Sequence, residues 1–223
     1  MPGILFLVAT PIGNFDDMTL RALDTLRTAD VVVCEERREG ERLLRHCKIE
    51  KPVELLNEHN EEAATFHIIE FLKAGKSVAL ISDGGTPVFS DPGRLLVDRA
   101  NAANIRVVPV PGASSLMPAL IVSGFSLDQF LFSGWLSPKK DRRRAELRHL
   151  LDERRTMVLM DTPYRFGSLL DDLADTFGNR RICIAFNLTM PEEQIFHGTA
   201  SSLRKELGQK NMKGEFVVVV EGR

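Results

Sequence analysis

Val78-Ala79-Leu80-Ile81-Ser82-Asp83-Gly84-Gly85-Thr86-Pro87-Val88-Phe89-Ser90-Asp91-Pro92-Gly93 changes character abruptly after its fourth residue. The apolar run reads as a strand buried on both faces, and the small, polar, turn-forming residues after it read as the loop into which that strand empties. In open α/β sheets a ligand sits outside the carboxyl ends of the strands, and Gly84 and Gly85 remove the Cβ atoms that would hold it away from the backbone. Asp83, Thr86, Ser90 and Asp91 then supply polar groups. The plainer reading is a tight connection in which Asp91 caps a helix over residues 94–102.

Outward from this stretch the same pattern recurs. Residues 4–8 form a continuous apolar run stopped by the turn Thr10-Pro11-Ile12-Gly13-Asn14; Leu20, Leu23 and Leu26 recur at helical spacing; and residues 31–34 are again all apolar. A strand, a helix and a strand in that order open a parallel sheet. Residues 105–110 add another strand, ending at Pro111-Gly112-Ala113-Ser114-Ser115, where the two hydroxyls serve either as caps of the helix that follows or as ligand donors. The run Glu35-Glu36-Arg37-Arg38-Glu39-Gly40-Glu41-Arg42 reads first as a solvated helix face with weak ion pairs. Because it begins at a strand's carboxyl end, Glu35 and Arg38 can also face the crevice of the Gly84-Gly85 loop. Residues 55–62 are expected to open a further helix, with Asn57 or Asn60 as its cap.

The second half has a different rhythm. Residues 130–135 are aromatic and strand-like, and in Ser137-Pro138-Lys139-Lys140-Asp141-Arg142-Arg143-Arg144 five of eight residues are basic, a run suited to solvent or to phosphates. Strands are expected near 156–160, 181–186, 192–199 and 214–221, closely enough spaced for a mixed, partly antiparallel sheet. The domain boundary falls near Gly112, giving segments 1–112 and 113–223.

With 223 residues the chain suits one large or two small domains, and a net charge of -2 excludes a globally basic nucleic-acid binder while allowing a local basic patch. Cys34, Cys47 and Cys183 are odd in number and widely spaced, which fits reduced thiols in the cytoplasm better than disulfides. The apolar N-terminus stops at Pro11, far short of a membrane span, and has no basic flank, so it reads as a strand and not a signal peptide. His59 has no second histidine at ligand spacing, so no metal is expected. Neither GxxxxGK[ST] nor GxGxxG is present, which argues against a P-loop NTPase or a dinucleotide dehydrogenase.

Taken together, Thr10 to Asn14, Ser82 to Pro87 with Ser90 to Gly93, Pro111-Gly112 with Ser114, and Lys213-Gly214-Glu215 resemble the tetrapyrrole methylase superfamily. Within it they are most similar to the branch that methylates the ribose 2′-hydroxyl of a cytidine in small-subunit ribosomal RNA. The resemblance implies two α/β domains, an N-terminal mostly parallel sheet and a C-terminal mixed sheet, with S-adenosylmethionine in the cleft between them. It also implies a homodimer and a possible partner in ribosomal RNA or the small ribosomal subunit, with no membrane and no metal. On this resemblance the cofactor positions are Pro11, Asp83, Gly84, Gly85, Thr86, Pro87, Ser90, Ser114 and Ser115, with Tyr164, Asn187 and Leu188 from the second domain.

The departures fall mostly on the substrate side. Glu35-Glu36-Arg37-Arg38 stands where the ribosomal RNA enzymes read Glu-Asp-Thr-Arg, Val88 replaces the last glycine of Ser-Asp-Ala-Gly-Thr-Pro-Gly, and Asp161-Thr162-Pro163-Tyr164-Arg165 replaces Glu-Ser-Pro-His-Arg. On this resemblance the chain is expected to lack the C-terminal extension that the longer enzymes carry after the last strand. Transfer from a sulfonium requires chiefly alignment, with a base only if the acceptor must lose a proton. Glu35 is the expected base, with Arg38 orienting it or a phosphate. Two alternatives stand beside this reading: a tetrapyrrole or other small-molecule acceptor, and a protein that binds S-adenosylmethionine without catalysis.

Overall fold

Strands β1 (Ile4–Val8), β2 (Val31–Cys34), β3 (Val53–Leu55), β4 (Val78–Ile81) and β5 (Arg106–Val110) form a sheet in the order β3-β2-β4-β1-β5, every pair parallel. This is a computed structural model, and it describes residues 2–208, 210 and 212–223. A parallel sheet needs helical crossovers, here α1 (Leu20–Thr28), α2 (Arg37–His46), α3 (Glu61–Lys73) and α4 (Arg94–Ala102). Alternate strand residues pack on opposite faces. Val32, Cys34, Ala79 and Ile81 meet Leu26 of α1 and Leu43 of α2, whereas Val31, Val33, Val78 and Leu80 meet Ile68 of α3 and Leu96 of α4. Burial on both faces is why these strands read as unbroken apolar runs. At Gly40, α2 comes so close to β2 that an added Cβ would lie 2.6 Å from the Cys34 sulfur.

Two local expectations are corrected. Leu55 does not open a helix but ends the edge strand β3, which pairs through Val32 with Val53 and Cys34 with Leu55, and α3 begins only at Glu61. Three residues are too few to show a period. Asn60 holds the N-cap position of α3, but neither its side chain nor that of Asn57 makes a capping hydrogen bond to the helix. Instead Asn60 Oδ1 accepts from the Asn57 amide at 2.7 Å while Asn57 Oδ1 accepts from His59 N at 3.1 Å, so the pair folds the loop.

The chain divides into two compact units, Met1–Ser114 and Ser115–Arg223. In the second, β6 (Phe130–Trp135), β7 (Thr156–Asp161), β8 (Arg181–Phe186), β9 (Gln194–Thr199) and β10 (Phe216–Val220) form a mixed sheet ordered β6-β7-β10-β8-β9. Only β6 and β7 are parallel; the other pairs are antiparallel. Helices α5 (Leu116–Ser123), α6 (Lys140–His149), α7 (Phe166–Phe177) and α8 (Ala200–Leu207) complete it. Leu147, Leu169, Leu173 and Leu203 from three of these helices meet Met157, Leu159, Ile184 and Val218 of the sheet in one core.

The basic run entering α6 is not uniform surface. Arg143 is buried, with Nε 2.8 Å and Nη2 2.7 Å from Asp172 Oδ2 of α7, and Arg144 Nε lies 2.6 Å from the other oxygen of the same carboxylate. Arg144 also reaches Asp175 at 3.1 Å. Breaking one side of a buried pair strands a desolvated charge, which costs about 3–5 kcal/mol, whereas apolar replacement of both sides is often neutral or stabilising. Asp172→Ala is therefore expected to lower stability by that amount in denaturant titrations. Arg143→Met with Asp172→Leu should recover most of it, and equal losses in the single and double variants would show that the pair does not hold α6.

Candidate functional site

Because the first sheet is parallel, the loops leaving β1, β2, β4 and β5 open on one edge. Thr10 and Gly85 join two of them by a pair of backbone hydrogen bonds, N to O, of 2.9 and 3.0 Å. The Thr10 hydroxyl donates to Ser82 O at 2.9 Å, and the Gly84 amide donates to the Ser82 hydroxyl at 3.1 Å. Thr86 Oγ1 reaches Ala113 O at 3.4 Å, tying in the loop after β5, and the Glu36 amide donates to Asp83 Oδ1 at 3.3 Å, tying in the loop after β2. The four loops are thus one connected surface.

On it Gly85 is buried at φ 98°, a backbone conformation that favours glycine, while Gly84 is exposed beside the carbonyl of Pro11. Pro87 is buried, and Pro11 and Ser114 are half-buried. Val88 and Ser90 both have positive φ, 70° and 68°. For a β-branched residue such as Val88 this is a strained conformation.

Three carboxyls on this edge are held above the ordinary carboxylate range. Burial is the main cause for each; Glu35 is raised further by Asp83, Asp91, Glu58 and Glu36, in that order. For Asp83 the hydrogen bond from the Glu36 amide opposes the rise, and for Asp91 the Ser82 side chain does. Asp91 Oδ2 is buried with no hydrogen-bond partner. Asp91 does not cap α4: Gly93 holds the cap position at φ 122°, and the amides of Gly93 and Leu95 donate to Glu61 Oε1 at 2.9 and 3.3 Å. A carboxylate at a helix start complements its dipole, and here it comes from 32 residues upstream of Gly93, where no local pattern announces it.

The charged run after β2 divides. Arg37 with Glu41 at 3.6 Å and Arg42 with Glu39 at 3.1 Å are the surface pairs expected of a solvated helix. Glu35 instead lies half-buried among the carboxylates, and Arg38 is exposed in the first turn of α2.

In the second unit Ser115 occupies the cap position of α5, but its side chain makes no capping hydrogen bond. β7 and β8 both end against Phe216 at the start of β10, which brings the loops after them to one edge. Tyr164, 84% exposed, stands on the first of these loops beneath the Arg165 guanidinium. Arg165 is paired with the buried Asp161, whose Oδ1 also accepts from the Thr162 amide at 2.7 Å. Asn187, on the second loop at φ 47°, donates through its backbone amide to Glu215 O at 2.8 Å, and Leu188 is buried. Gly214, at φ 121°, is crowded by Asn187: an added Cβ would lie 1.9 Å from its Oδ1. Tyr164, Phe166, Met212 and Gly214 line one open pocket of about 420 Å³. Sequence reading missed Glu58 as a neighbour of Glu35 and Asp161 as the anchor of the Tyr164 loop, since both depend on tertiary placement.

Cys34 and Cys183 are buried thiols pushed up to about 12 and about 11 by desolvation, so neither offers a thiolate near neutral pH. Among the described residues no group of three or more His, Cys, Asp or Glu is arranged to hold a metal ion, and no helix is long and apolar enough to cross a membrane.

A two-unit α/β chain with a parallel first sheet, a mixed second sheet and a glycine-bearing loop edge defines a class, and residues 5–204 match the family Tetrapyrrole (Corrin/Porphyrin) Methylases. The chain belongs to that family. Among its relatives, Ribosomal RNA small subunit methyltransferase I of Xylella fastidiosa strain Temecula1 is 45% identical over 224 residues, covering 99% of this chain and 82% of the relative. The protein of the same name from Bacillus subtilis strain 168 is 40% identical, over 99% of this chain and 75% of the relative. A solved diphthine synthase superposes with TM-score 0.75 at 18% identity, covering 99% of this chain and 90% of that one, a likeness of fold alone.

The two carboxylates beside α4 make opposite predictions. Glu61→Ala removes the acceptor of two helix-start amides and should cost about 1–2 kcal/mol in urea unfolding. A carboxyl raised in the folded state contributes stability at pH below its unfolded value and loses it as pH rises through the folded value. Asp91→Asn should therefore be at least as stable as the parent at pH 7, with its advantage shrinking as pH falls; a loss like that of Glu61→Ala would return the capping role to Asp91.

Proposed function

We propose that this chain is an S-adenosylmethionine-dependent methyltransferase acting on small-subunit ribosomal RNA, at the 2′-hydroxyl of a ribose. The observation that carries the reading is likeness over 99% of the chain, at 40–45% identity, to proteins named for methylating small-subunit ribosomal RNA. The loop edge supports the cofactor. S-adenosylmethionine is cationic at sulfur and bears ribose hydroxyls, and the edge offers raised carboxyls at Asp83 and Asp91, with Asp91 Oδ2 an unsatisfied buried acceptor. On family resemblance, Pro11, Asp83 to Pro87, Ser90 and Ser114 of the first unit and Ser115, Tyr164, Asn187 and Leu188 of the second are the proposed cofactor positions. We place the working form in the cytoplasm as a homodimer, the first on the free, unpaired thiols and the second on family resemblance.

Bound, S-adenosylmethionine supplies a methyl group already activated by its sulfonium charge. The protein must align the hydroxyl, exclude water and accept its proton. Glu35 has the right character for that last task. Half-buried among carboxylates, it binds a proton more tightly than an ordinary glutamate, so its ionised form is a stronger base. Arg38, three residues further on and exposed in the first turn of α2, would orient the Glu35 carboxylate or a backbone phosphate.

Label transfer from S-adenosylmethionine to small ribosomal subunits lacking the modification tests the reading: incorporation into the RNA at a ribose is expected, and incorporation into a tetrapyrrole instead would replace the acceptor. Glu35→Gln should lower kcat by about 10²–10⁴-fold with cofactor affinity retained in calorimetry. The parent's rate should fall as pH drops through a value above the ordinary carboxylate range, and the variant should lack that limb. A full-rate variant would assign the base elsewhere.

A further inference from the structure

The five cations between Ser137 and Arg144 divide into two groups with different work. Arg143 and Arg144 face Asp172 and are spent inside the second unit. Lys139, Lys140 and Arg142 are exposed, and among the described residues no carboxylate lies within ion-pair distance of them. Pairing of the first group with Asp172 fixes how the second is presented. The buried pair anchors α6 on α7, and the loop before it is folded back by the Ser137 amide donating to Glu146 Oε2 at 2.8 Å and the Lys139 amide donating to Ser137 Oγ at 3.3 Å. Glu146 is thereby engaged, which leaves Asp141 as the sole opposing charge within the run. The amino end of the ten-residue α6 adds its dipole to the same spot.

This cationic end stands at a defined place. β6 runs parallel to β7 with Trp135 opposite Met160, so the chain leaves β6 at the edge where the Tyr164 and Asn187 loops emerge. Trp135, the only tryptophan in the chain, ends that strand four residues before Lys139 and is 48% exposed. Exposed cations that follow an exposed aromatic residue within one short stretch of chain combine what single-stranded RNA binds: charge for the phosphates and a flat face for an unstacked base.

We infer that Lys139, Lys140 and Arg142, with Trp135 beside them, form a docking face for single-stranded RNA at the candidate-site edge of the second unit. The inference rests on the ribosomal RNA reading above and gives it a location. Arg143 and Arg144 belong to the scaffold and do not touch the RNA.

The test uses the full chain, a fluorescein-labelled single-stranded oligoribonucleotide and small subunits lacking the modification. Binding measured across a salt series gives a slope of log affinity against log salt, which on a single strand becomes shallower by roughly 0.7 for every phosphate the protein no longer neutralises. Lys139→Gln with Lys140→Gln and Arg142→Gln should flatten the slope by about 2 and weaken binding at low salt by tenfold or more, with S-adenosylmethionine affinity and melting temperature unchanged. Arg21→Gln with Arg45→Gln and Lys48→Gln removes the same charge from exposed positions of the first unit and should leave the slope intact. Quenching of Trp135 fluorescence on titration with the oligonucleotide is the second expected signature. If the parent methylates subunits but the α6 variant keeps the full slope, or both variants flatten it equally, the docking face is wrong and the function stands. A parent that neither binds the RNA nor methylates subunits overturns both.

Discussion

Parallel pairing of the first sheet is the constraint from which the site follows. When β1, β2, β4 and β5 all run the same way, the segments that leave them must emerge on one edge, however far apart they are in sequence. Thr10 and Gly85 then meet across 75 residues, and the amide of Glu36 meets Asp83 across 47. The first of these ties satisfies backbone groups of buried residues that would otherwise be stranded. The same ties crowd carboxylates that water would have kept apart.

That crowding has an energetic sign. Glu35, Asp83 and Asp91 are all held toward their protonated forms, first by burial and then by neighbouring carboxylates, so their ionised state at neutral pH opposes folding. On the same loop Val88 and Ser90 sit at positive φ, where the related pattern carries glycine in place of Val88. Strain, desolvated charge and an unpaired Asp91 oxygen therefore coincide within residues 83–91. Apolar packing on both faces of the sheet behind them offsets these terms, and Glu61 secures α4 from outside the loop. A stretch that breaks several local rules while its surroundings obey them is where binding or chemistry is expected.

Much of this was legible in sequence because the signals were local. Apolar runs cut off by Gly, Pro, Ser and Asp marked β1, β4 and β5 with their loops, and ion pairs at three- and four-residue spacing explained most of the charge in α2. Whatever depended on a partner far along the chain was not legible. Asp91 looked like a helix cap because it precedes Pro-Gly, yet the acceptor is Glu61 of another helix. Asn60 does hold the cap position of α3, but its side chain is turned to the loop that follows β3 and not to the helix amides. Five clustered basic residues looked like one patch until Asp172 separated the buried from the exposed.

The last of these bears on how a chain with net charge of only -2 can concentrate charge of either sign. A near-zero total says nothing about distribution, because opposite charges can be gathered on different edges. Here the carboxylates collect where the parallel strands of the first unit end, and the cations collect where β6 of the second unit passes into α6. Each edge is held by its own internal device, the Thr10 to Gly85 bridge in one unit and the Arg143 to Asp172 pair in the other. Composition averages those edges away. A near-neutral total is therefore compatible with an acidic loop edge in the first unit and a basic helix start in the second.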